Sequence, residues 1–206
     1  MTFDRIAARV AEHYRDQGLN VLLLVDLFTR FAFAAREIGL SSGEPPATRG
    51  YPPSVMSELA RLLERAGPGP TGTITGLYTV LFEGDDMNDP VGDGARSILD
   101  GHMVLSRRLA AAGHYPTIDV LESASRLASK VTNREQRALS SRLRALMAAH
   151  AGARDLIEIG AYAPGASPAV DEAIARRPAI EAFLRQDLSE VSDFDAAWRA
   201  LEGVFV

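Results

Sequence analysis

The sequence contains no cysteine, no apolar run approaching 18 residues and no N-terminal signal-peptide pattern. Without cysteine the chain can have neither a disulfide framework nor a thiolate metal site. The apolar runs are too short for a membrane-spanning helix, and the missing signal pattern fits a cytoplasmic protein. The formal net charge of −5, from 27 acidic and 22 basic residues, argues against a nucleic-acid or anionic-membrane surface.

Lysine is almost absent, because Lys130 is the only lysine among the 22 basic residues. No glycine precedes it, so the chain lacks the G-x-x-x-x-G-K-[ST] loop with which P-loop nucleotide hydrolases hold phosphates. The 206 residues, 47% of them hydrophobic, are nevertheless enough for one large domain or a domain with a small appendage.

A short apolar run that ends in an acidic residue is the first feature of the sequence that indicates a functional site. Residues 21–25 are all apolar and are followed directly by Asp26. In nucleotide hydrolases a carboxylate at the end of such a strand holds the water shell of Mg²⁺. Many α/β proteins also carry a polar residue there only because the strand leaves the core, so the residues alone leave both interpretations open. Only 25 residues precede Asp26, too few for a P-loop with its strand and helix.

Arginines near this strand and near a later one are candidates for binding an anion. Arg30 lies four residues after Asp26, close enough to reach the same pocket rim. Arg36, further along the same predicted helix, is expected on a solvated face or in a salt bridge. Arg126, in the segment ESASRLAS, follows a predicted strand and requires either a carboxylate of this chain or an anion on a neighbour.

Helices and strands alternate up to about residue 130, which predicts an α/β fold. Strands that follow helices imply right-handed crossovers, so we expect the strands to lie parallel in one sheet. The predicted strands are residues 21–25, about 73–82 and 116–120, and the predicted helices include residues 2–17, ended by Gly18, and 27–38.

From about residue 133 to the C-terminus the apolar periodicity is helical, with Trp198 on the last amphipathic segment. The chain therefore divides into residues 1–132 and an all-helical part, residues 133–206. Within the first part, after the second predicted strand, the acidic segment EGDDMNDP at 83–90 could bind a hard cation, although it lacks EF-hand spacing and a solvated loop is favoured.

Three long segments together resemble the flagellar and type III secretion export ATPases, relatives of the rotary ATP synthase β subunit. They are LLLVDLFTRFAFAAREIGLSSGEPPATRGYPPS, YTVLFEGDDMNDPVGDGARSILDGHMVLSRRLAAAGHYPTIDVLESASR and LIEIGAYAPG with DEAI. The likeness covers nearly the whole chain and corresponds to the C-terminal part of such an enzyme. It implies that residues 1–132 are the rear part of a RecA-like ATPase domain with an incomplete parallel sheet, followed by a helical C-terminal domain.

The resemblance gives the candidate residues expected roles. Asp26 would be the Walker B aspartate, which contacts Mg²⁺ through water in the ATP site. Arg30 would lie at the active-site rim. Arg126 would be an arginine finger that reaches the nucleotide of the adjacent subunit, a contribution of about 10³–10⁵ in rate in other phosphoryl-transfer systems. Phe194 is the candidate for packing against adenine.

The same resemblance implies partners. Family members form hexamers, and the expected partners are export chaperones and substrates and the stator or stalk proteins of the export apparatus. Contact with the membrane export gate would be peripheral at most, and no nucleic acid is expected. The loop ATRGYPPS, residues 47–54, resembles a segment that helps build the subunit interface.

The departures from the family pattern imply that this chain does not hydrolyse ATP alone. The N-terminal barrel, the P-loop with its lysine and the catalytic glutamate are all outside it. Leu27 and Ala35 replace a small polar residue and a glutamine, and Gly92 and Gly94 loosen a segment that relatives make helical. The alternative is a non-catalytic truncated paralogue that binds export chaperones or modulates the full-length hexamer. Either way the incomplete sheet leaves an open edge, which predicts self-association.

Overall fold

The computed structural model describes residues 2–82 and 89–206, which form two compact units, Met1–Leu99 and Asp100–Val206. The acidic segment considered above lies mostly outside the described residues, from 83 to 88. In the first unit a 3₁₀ turn at Thr48–Gly50 accompanies these elements: α1 (Thr2–Asp16), β1 (Asn20–Val25), α2 (Phe28–Ser41), α3 (Pro53–Leu63), β2 (Gly67–Pro68), β3 (Thr73–Tyr78) and α4 (Pro90–Ile98).

The first unit is built on a parallel strand pair. β1 lies beside β3 in a register that runs from Asn20 opposite Thr73 to Val25 opposite Tyr78. β2 extends the sheet on the other side of β3 as a short antiparallel strand. The predicted parallel pairing of the first two strands is confirmed, and the second strand is shorter than residues 73–82.

Alternation along β1 decides which face of the sheet is covered. Leu23 and Val25 are buried with Ile74 of β3, whereas Leu22 and Leu24 are exposed on the opposite face. The buried side chains join one core formed with α1, α2, α3 and α4, in which Phe28, Phe31, Val55, Leu59 and Val91 are almost fully buried.

The ends of α1 and the course of α4 follow from single residues. Gly18, with φ +87°, lies just beyond the C-terminus of α1, as the sequence predicted, since glycine adopts this left-handed conformation without a steric cost. Gly92 and Gly94 do not prevent helix formation, because Asp89 accepts hydrogen bonds from Val91 N and Gly92 N at the start of α4. Gly92 also faces the Phe82 ring so closely that a Cβ atom there would collide with it.

The second unit begins with strands and continues with helices. Its elements are β4 (Gly101–Leu105), α5 (Arg107–Ala111), β5 (Ile118–Ser125), α6 (Ala128–Val131), α7 (Arg134–Glu158), α8 (Pro168–Leu184) and α9 (Phe194–Gly203).

The expectation that residues 116–120 join the first parallel sheet is wrong. That segment begins β5, which pairs with β4 as an antiparallel two-stranded sheet, from Gly101 opposite Ser125 to Leu105 opposite Ile118. The path of the connection explains the direction, because residues 106–117 hold only the five-residue α5 and then a turn at Gly113 that reverses the chain. A parallel crossover usually contains a longer helix, which carries the chain back along the full length of the strand.

The helical prediction beyond residue 133 is confirmed. Asn133 and Gln136 form a capping box at the start of α7, in which each side chain accepts a hydrogen bond from the other residue's backbone N–H. Helices α7, α8 and α9 share a core that contains Leu143, Leu146, Ala173, Ile180, Leu201 and Val204. Among the helices of residues 2–82 and 89–206, none has the length and hydropathy needed to cross a bilayer.

Candidate functional site

The carboxylate of Asp26 lies immediately after β1, at the carboxyl end of the parallel pair. The next residue of the neighbouring strand is Thr79, whose hydroxyl donates to Asp26 Oδ1 over 2.8 Å. The same hydroxyl oxygen accepts from Leu27 N at 2.7 Å. Thr79 therefore fixes one oxygen of an exposed Asp26 carboxylate, which makes no ion pair within the described part of the chain.

The backbone that follows Asp26 turns sharply. Leu27 adopts the left-handed conformation, with φ 61° and ψ 65°, and α2 begins at the next residue. Backbone bonds hold the turn against the end of β3, from Thr79 N to Val25 O at 3.0 Å and from Phe28 N to Thr79 O at 2.9 Å. Buried Thr29 extends this contact by accepting from Leu81 N at 2.9 Å. The position of Asp26 is thus set by two adjacent strand ends.

Arg30 lies in the first turn of α2, and its backbone N–H donates to Leu27 O at 2.9 Å. Its side chain is exposed, and it makes no hydrogen bond or ion pair within the described part of the chain. Arg30 and Asp26 therefore lie at the same end of the parallel pair.

Arg36 does not follow the expectation of a solvated face or a salt bridge. Its Nε donates to Gly50 O at 2.9 Å, and its guanidinium lies over the Tyr51 ring, 5.4 Å from the centroid. Arg36 thereby holds the loop of residues 47–54 against α2, a structural role within the first unit.

Arg126 belongs to the second unit, directly after β5. Its backbone N–H donates to Asp100 O at 2.7 Å, which continues the pairing of β5 with the residue before β4. The residue is exposed. The structure thus places this arginine at the end of a strand, as the sequence predicted, and in a different unit from Asp26.

Phe194 is the first residue of α9, and Asp193 caps that helix by accepting from Ala196 N. The Phe194 ring is 64% exposed and packs edge-to-face against Trp198, with centroids 6.1 Å apart. An exposed ring supported by a second aromatic is available for stacking on a planar ligand.

The described residues hold no group of three or more His, Cys, Asp or Glu side chains that could ligate a metal ion. Asp26 offers a single carboxylate, and Mg²⁺ in phosphate sites is typically held by one or two carboxylates together with phosphate oxygens and water. The residues present therefore do not form a Mg²⁺ site by themselves, although Asp26 suits the contact with a hydrated ion.

Sequence reasoning missed Thr79, the residue that orients Asp26. The signal lies in the strand register, which pairs Val25 with Tyr78, so the next residues along the two strands are also neighbours. A hydroxyl at the end of the second strand is recognisable only once that register is known.

Comparison with protein families identifies both parts of the chain. Residues 1–125 match the nucleotide-binding domain of the ATP synthase alpha/beta family, and residues 132–203 match the T3SS EscN ATPase C-terminal domain.

Individual relatives and solved structures agree with this match. The "Flagellum-specific ATP synthase" of Salmonella typhimurium is 50% identical over 201 residues, which are 97% of this chain but 44% of the relative. The assembled ATPase EscN of the enteropathogenic E. coli type III secretion system superposes with a TM-score of 0.94 at 46% identity, over 98% of this chain and 49% of EscN. EscN in complex with its central stalk EscO gives a TM-score of 0.87 at 44% identity, over 98% of this chain and 48% of that chain. The chain thus spans about half the length of the relatives that it matches.

Proposed function

This chain belongs to the ATP synthase alpha/beta family and matches the C-terminal part of its flagellar and type III secretion members, and we propose that it contributes to an ATPase that couples ATP hydrolysis to protein export. In this proposal residues 1–132 are the rear part of the RecA-like ATPase domain, and residues 133–206 are the helical C-terminal domain. The chain supplies the Mg²⁺ aspartate and a trans arginine finger, and it does not hydrolyse ATP alone.

The arrangement around Asp26 is the observation that carries the proposal. An exposed carboxylate at the end of a parallel strand, with one oxygen held by Thr79, is suited to ordering the water shell of the Mg²⁺ that accompanies ATP. Phosphoryl transfer depends on positioning and electrostatics, so the absence of a P-loop lysine from the sequence explains why this carboxylate alone would give no turnover.

Arg126 and Arg30 are proposed to provide positive charge. Arg126, at the exposed end of β5, would reach the nucleotide of a neighbouring subunit and stabilise charge on the transferring phosphoryl group. Arg30 would lie at the rim beside Asp26, where its side chain makes no ion pair with a described acid. Phe194 would pack against adenine, which its exposed ring permits.

The proposed partners follow from the relatives. EscN is an assembled ATPase that binds a central stalk protein, so we propose a hexamer with a stalk partner for the assembly to which this chain contributes. Export chaperones and substrates would dock on the helical part. The assembly would be cytoplasmic and would contact the membrane export gate only peripherally.

Calorimetry with Mg²⁺-ATP on the isolated chain, followed by a phosphate-release assay, tests whether the chain acts alone. We expect neither binding nor turnover, because the sequence contains no P-loop with its lysine to hold the phosphates. Measurable binding or turnover would show that other residues hold the phosphates and would overturn this part of the proposal.

A complementation assay tests the role in trans. A full-length relative whose arginine aligned with Arg126 is replaced by alanine has lost its own finger, and addition of this chain should restore its ATP turnover. The Arg126→Ala chain should restore none. The Arg154→Gln chain is the control and should restore turnover fully, because Arg154 is an exposed arginine of α7 that pairs with Glu158 one turn away. Failure of the natural chain to restore turnover would contradict the proposed role of Arg126.

The alternative is a non-catalytic paralogue that binds export chaperones or modulates the full-length hexamer. Leu27 and Ala35 favour it, because Leu27 occupies a left-handed position poorly suited to leucine and Ala35 is buried in α2 with no polar group. In the same assay this alternative predicts that the chain binds the natural hexamer and changes its rate without restoring the variant that lacks a finger.

A further inference from the structure

The strand that leads to Arg126 is interrupted by a large bulge. β4 and β5 pair at Gly101–Ser125 and His102–Ala124, and then again at Val104–Asp119 and Leu105–Ile118. Between these two stretches Met103 is the only residue on β4, whereas residues 120–123 intervene on β5. The backbone groups of residues 120–123 therefore leave the ladder and need other hydrogen-bond partners.

Two side chains of β5 itself form hydrogen bonds with backbone groups of the bulge. Asp119 Oδ1 accepts from Leu121 N at 3.1 Å and from Glu122 N at 3.2 Å. The Ser123 hydroxyl donates to Asp119 O at 2.6 Å and accepts from Val104 N at 2.9 Å. These bonds close residues 119–123 into a turn inside the strand.

The carbonyl oxygens of the bulge accept hydrogen bonds mainly from one arginine of α7. Arg144 Nη1 donates to Val120 O at 2.5 Å and to Ser123 O at 3.3 Å, and Nη2 donates to Leu121 O at 3.1 Å. The remaining carbonyl, that of Glu122, lies 3.0 Å from His102 Nε2, which donates to it when that nitrogen carries the proton. Arg144 makes no ion pair with a described acid, so its guanidinium serves the bulge alone.

The geometry requires a guanidinium. Arginine presents several N–H donors in a rigid planar fork, whereas lysine offers a single ammonium group on a flexible stem. Three carbonyl oxygens on one side of a bulge can be reached together by the fork, but a lysine at residue 144 would satisfy them incompletely.

Resting on the proposed finger role of Arg126, we propose that Arg144 is a positioning residue for it. Arg126 is the third residue after Ser123, and its own backbone N–H is bonded to Asp100 O. The bulge is therefore the last place where β5 can change direction before Arg126. By holding the bulge from α7, Arg144 fixes the direction in which the finger leaves the strand, without itself touching nucleotide.

The complementation assay described above, together with hydrogen–deuterium exchange on the isolated chain, tests this inference. Arg144→Gln should lower the restored kcat roughly tenfold or more, because misplacing a catalytic group by about 1 Å can cost about 10²-fold. The KM for ATP and the amount of chain bound to the relative should stay unchanged. Exchange of the amides of residues 120–126 should become faster, and Arg144→Lys should recover only part of both effects.

Further variants separate positioning from general destabilisation. Ser123→Ala loosens the same bulge from the strand side and should give the same pattern more weakly. Arg154→Gln, which removes an arginine of α7 that pairs with Glu158 instead, should leave kcat and exchange unchanged. If Arg144→Gln does not fold, Ser123→Ala and Arg144→Lys carry the test.

The outcomes distinguish this inference from the function on which it rests. Restored turnover by the natural chain, with a kcat loss and faster exchange in Arg144→Gln, supports the inference. If Arg144→Gln leaves kcat unchanged although exchange becomes faster, the positioning role of Arg144 is wrong. It is also wrong if exchange of the amides of residues 120–126 does not change. In both cases the proposed finger role of Arg126 is unaffected. If the natural chain restores no turnover, the finger role of Arg126 fails, and the inference fails with it.

Discussion

Leu27, the residue after Asp26, has a backbone conformation that leucine rarely adopts. In the left-handed region a Cβ approaches the following carbonyl, which costs roughly 1–2 kcal/mol for most residues and little for glycine. Leu27 N–H nevertheless donates to Thr79, and this bond helps to hold the hydroxyl that contacts Asp26. The strain is therefore linked to the position of the carboxylate.

Replacement of Leu27 by asparagine should relieve this strain. Asparagine tolerates the left-handed region, so we expect Leu27→Asn to be more stable than Leu27→Ala by about 1 kcal/mol. Alanine is the matched control, because it removes the same apolar side chain and keeps a Cβ without a local hydrogen bond. Urea unfolding of both variants measures the difference, and an alanine variant as stable as the asparagine one would contradict the account.

Single residues that are candidates for a function were easier to predict from the sequence than the residues that hold them in position. The place of Asp26 at a strand end could be predicted because the apolar run 21–25 stops at it, whereas Arg126 was singled out by the resemblance of its segment to the family pattern. Thr79 and Arg144 could not, because Thr79 acts through strand register and Arg144 acts on a bulge, and neither is visible in local periodicity. Arg36 was misassigned because its partner, Gly50 O, is a backbone group in a loop.

Among the elements, α1 is tied to the end of α3 by an ion pair of good geometry. Arg65 Nε donates to Glu12 Oε1 at 2.6 Å, and Nη2 donates to Oε2 at 2.8 Å. The Glu12 side chain is only 13% exposed. The hydrogen bonds from Arg65 lower the pKa of Glu12 from 4.5 to about 2, against the opposing effect of burial.

The pair makes stability depend on pH in the acid range. A lowered carboxyl pKa means that the contribution is complete above pH 4.5 and is lost as the pH falls to about 2. We expect Glu12→Gln to be about 1–2 kcal/mol less stable at pH 7, and the difference should disappear near pH 2. Urea unfolding between pH 7 and pH 2.5 measures this.

Glu64→Gln is the control for that series, because exposed Glu64 makes no ion pair with a described residue. It should follow the natural chain at every pH. A Glu12→Gln variant whose stability falls with acidification as steeply as that of the natural chain would rule out the Glu12–Arg65 pair as the cause.

Element prediction succeeded where the pattern is local and failed where it concerns pairing. The helices beyond residue 133 and the apolar strand at 21–25 are visible in periodicity. The partner of residues 116–120 was inferred from the alternating order of elements, and the short α5 connection reversed it. Strand direction depends on the length and path of the connection, which periodicity does not report.

For the molecule as a whole, the first unit carries a parallel sheet with one apolar face uncovered. Leu22, Leu24 and Leu77 are 60%, 66% and 46% exposed, and Leu24 lies directly opposite Leu77 in the strand register. Parallel sheets in globular proteins are normally covered on both faces. Within the described residues no strand pairs with the outer edge of β1, so face and edge are open together.

We therefore expect the isolated chain to self-associate through this sheet, and replacement of Leu24 and Leu77 by lysine should reduce the association. The charged side chains would place ammonium groups on the face that another copy must bury, at a large desolvation cost. Light scattering over a concentration series measures the effect. Leu188→Lys, which alters a fully exposed leucine far from β1 and β3 in sequence, should leave association unchanged. If the natural chain is a monodisperse monomer at every concentration, the open sheet is not an association surface; if Leu188→Lys disperses the chain as well as the sheet variant does, the contact lies in the helical part instead.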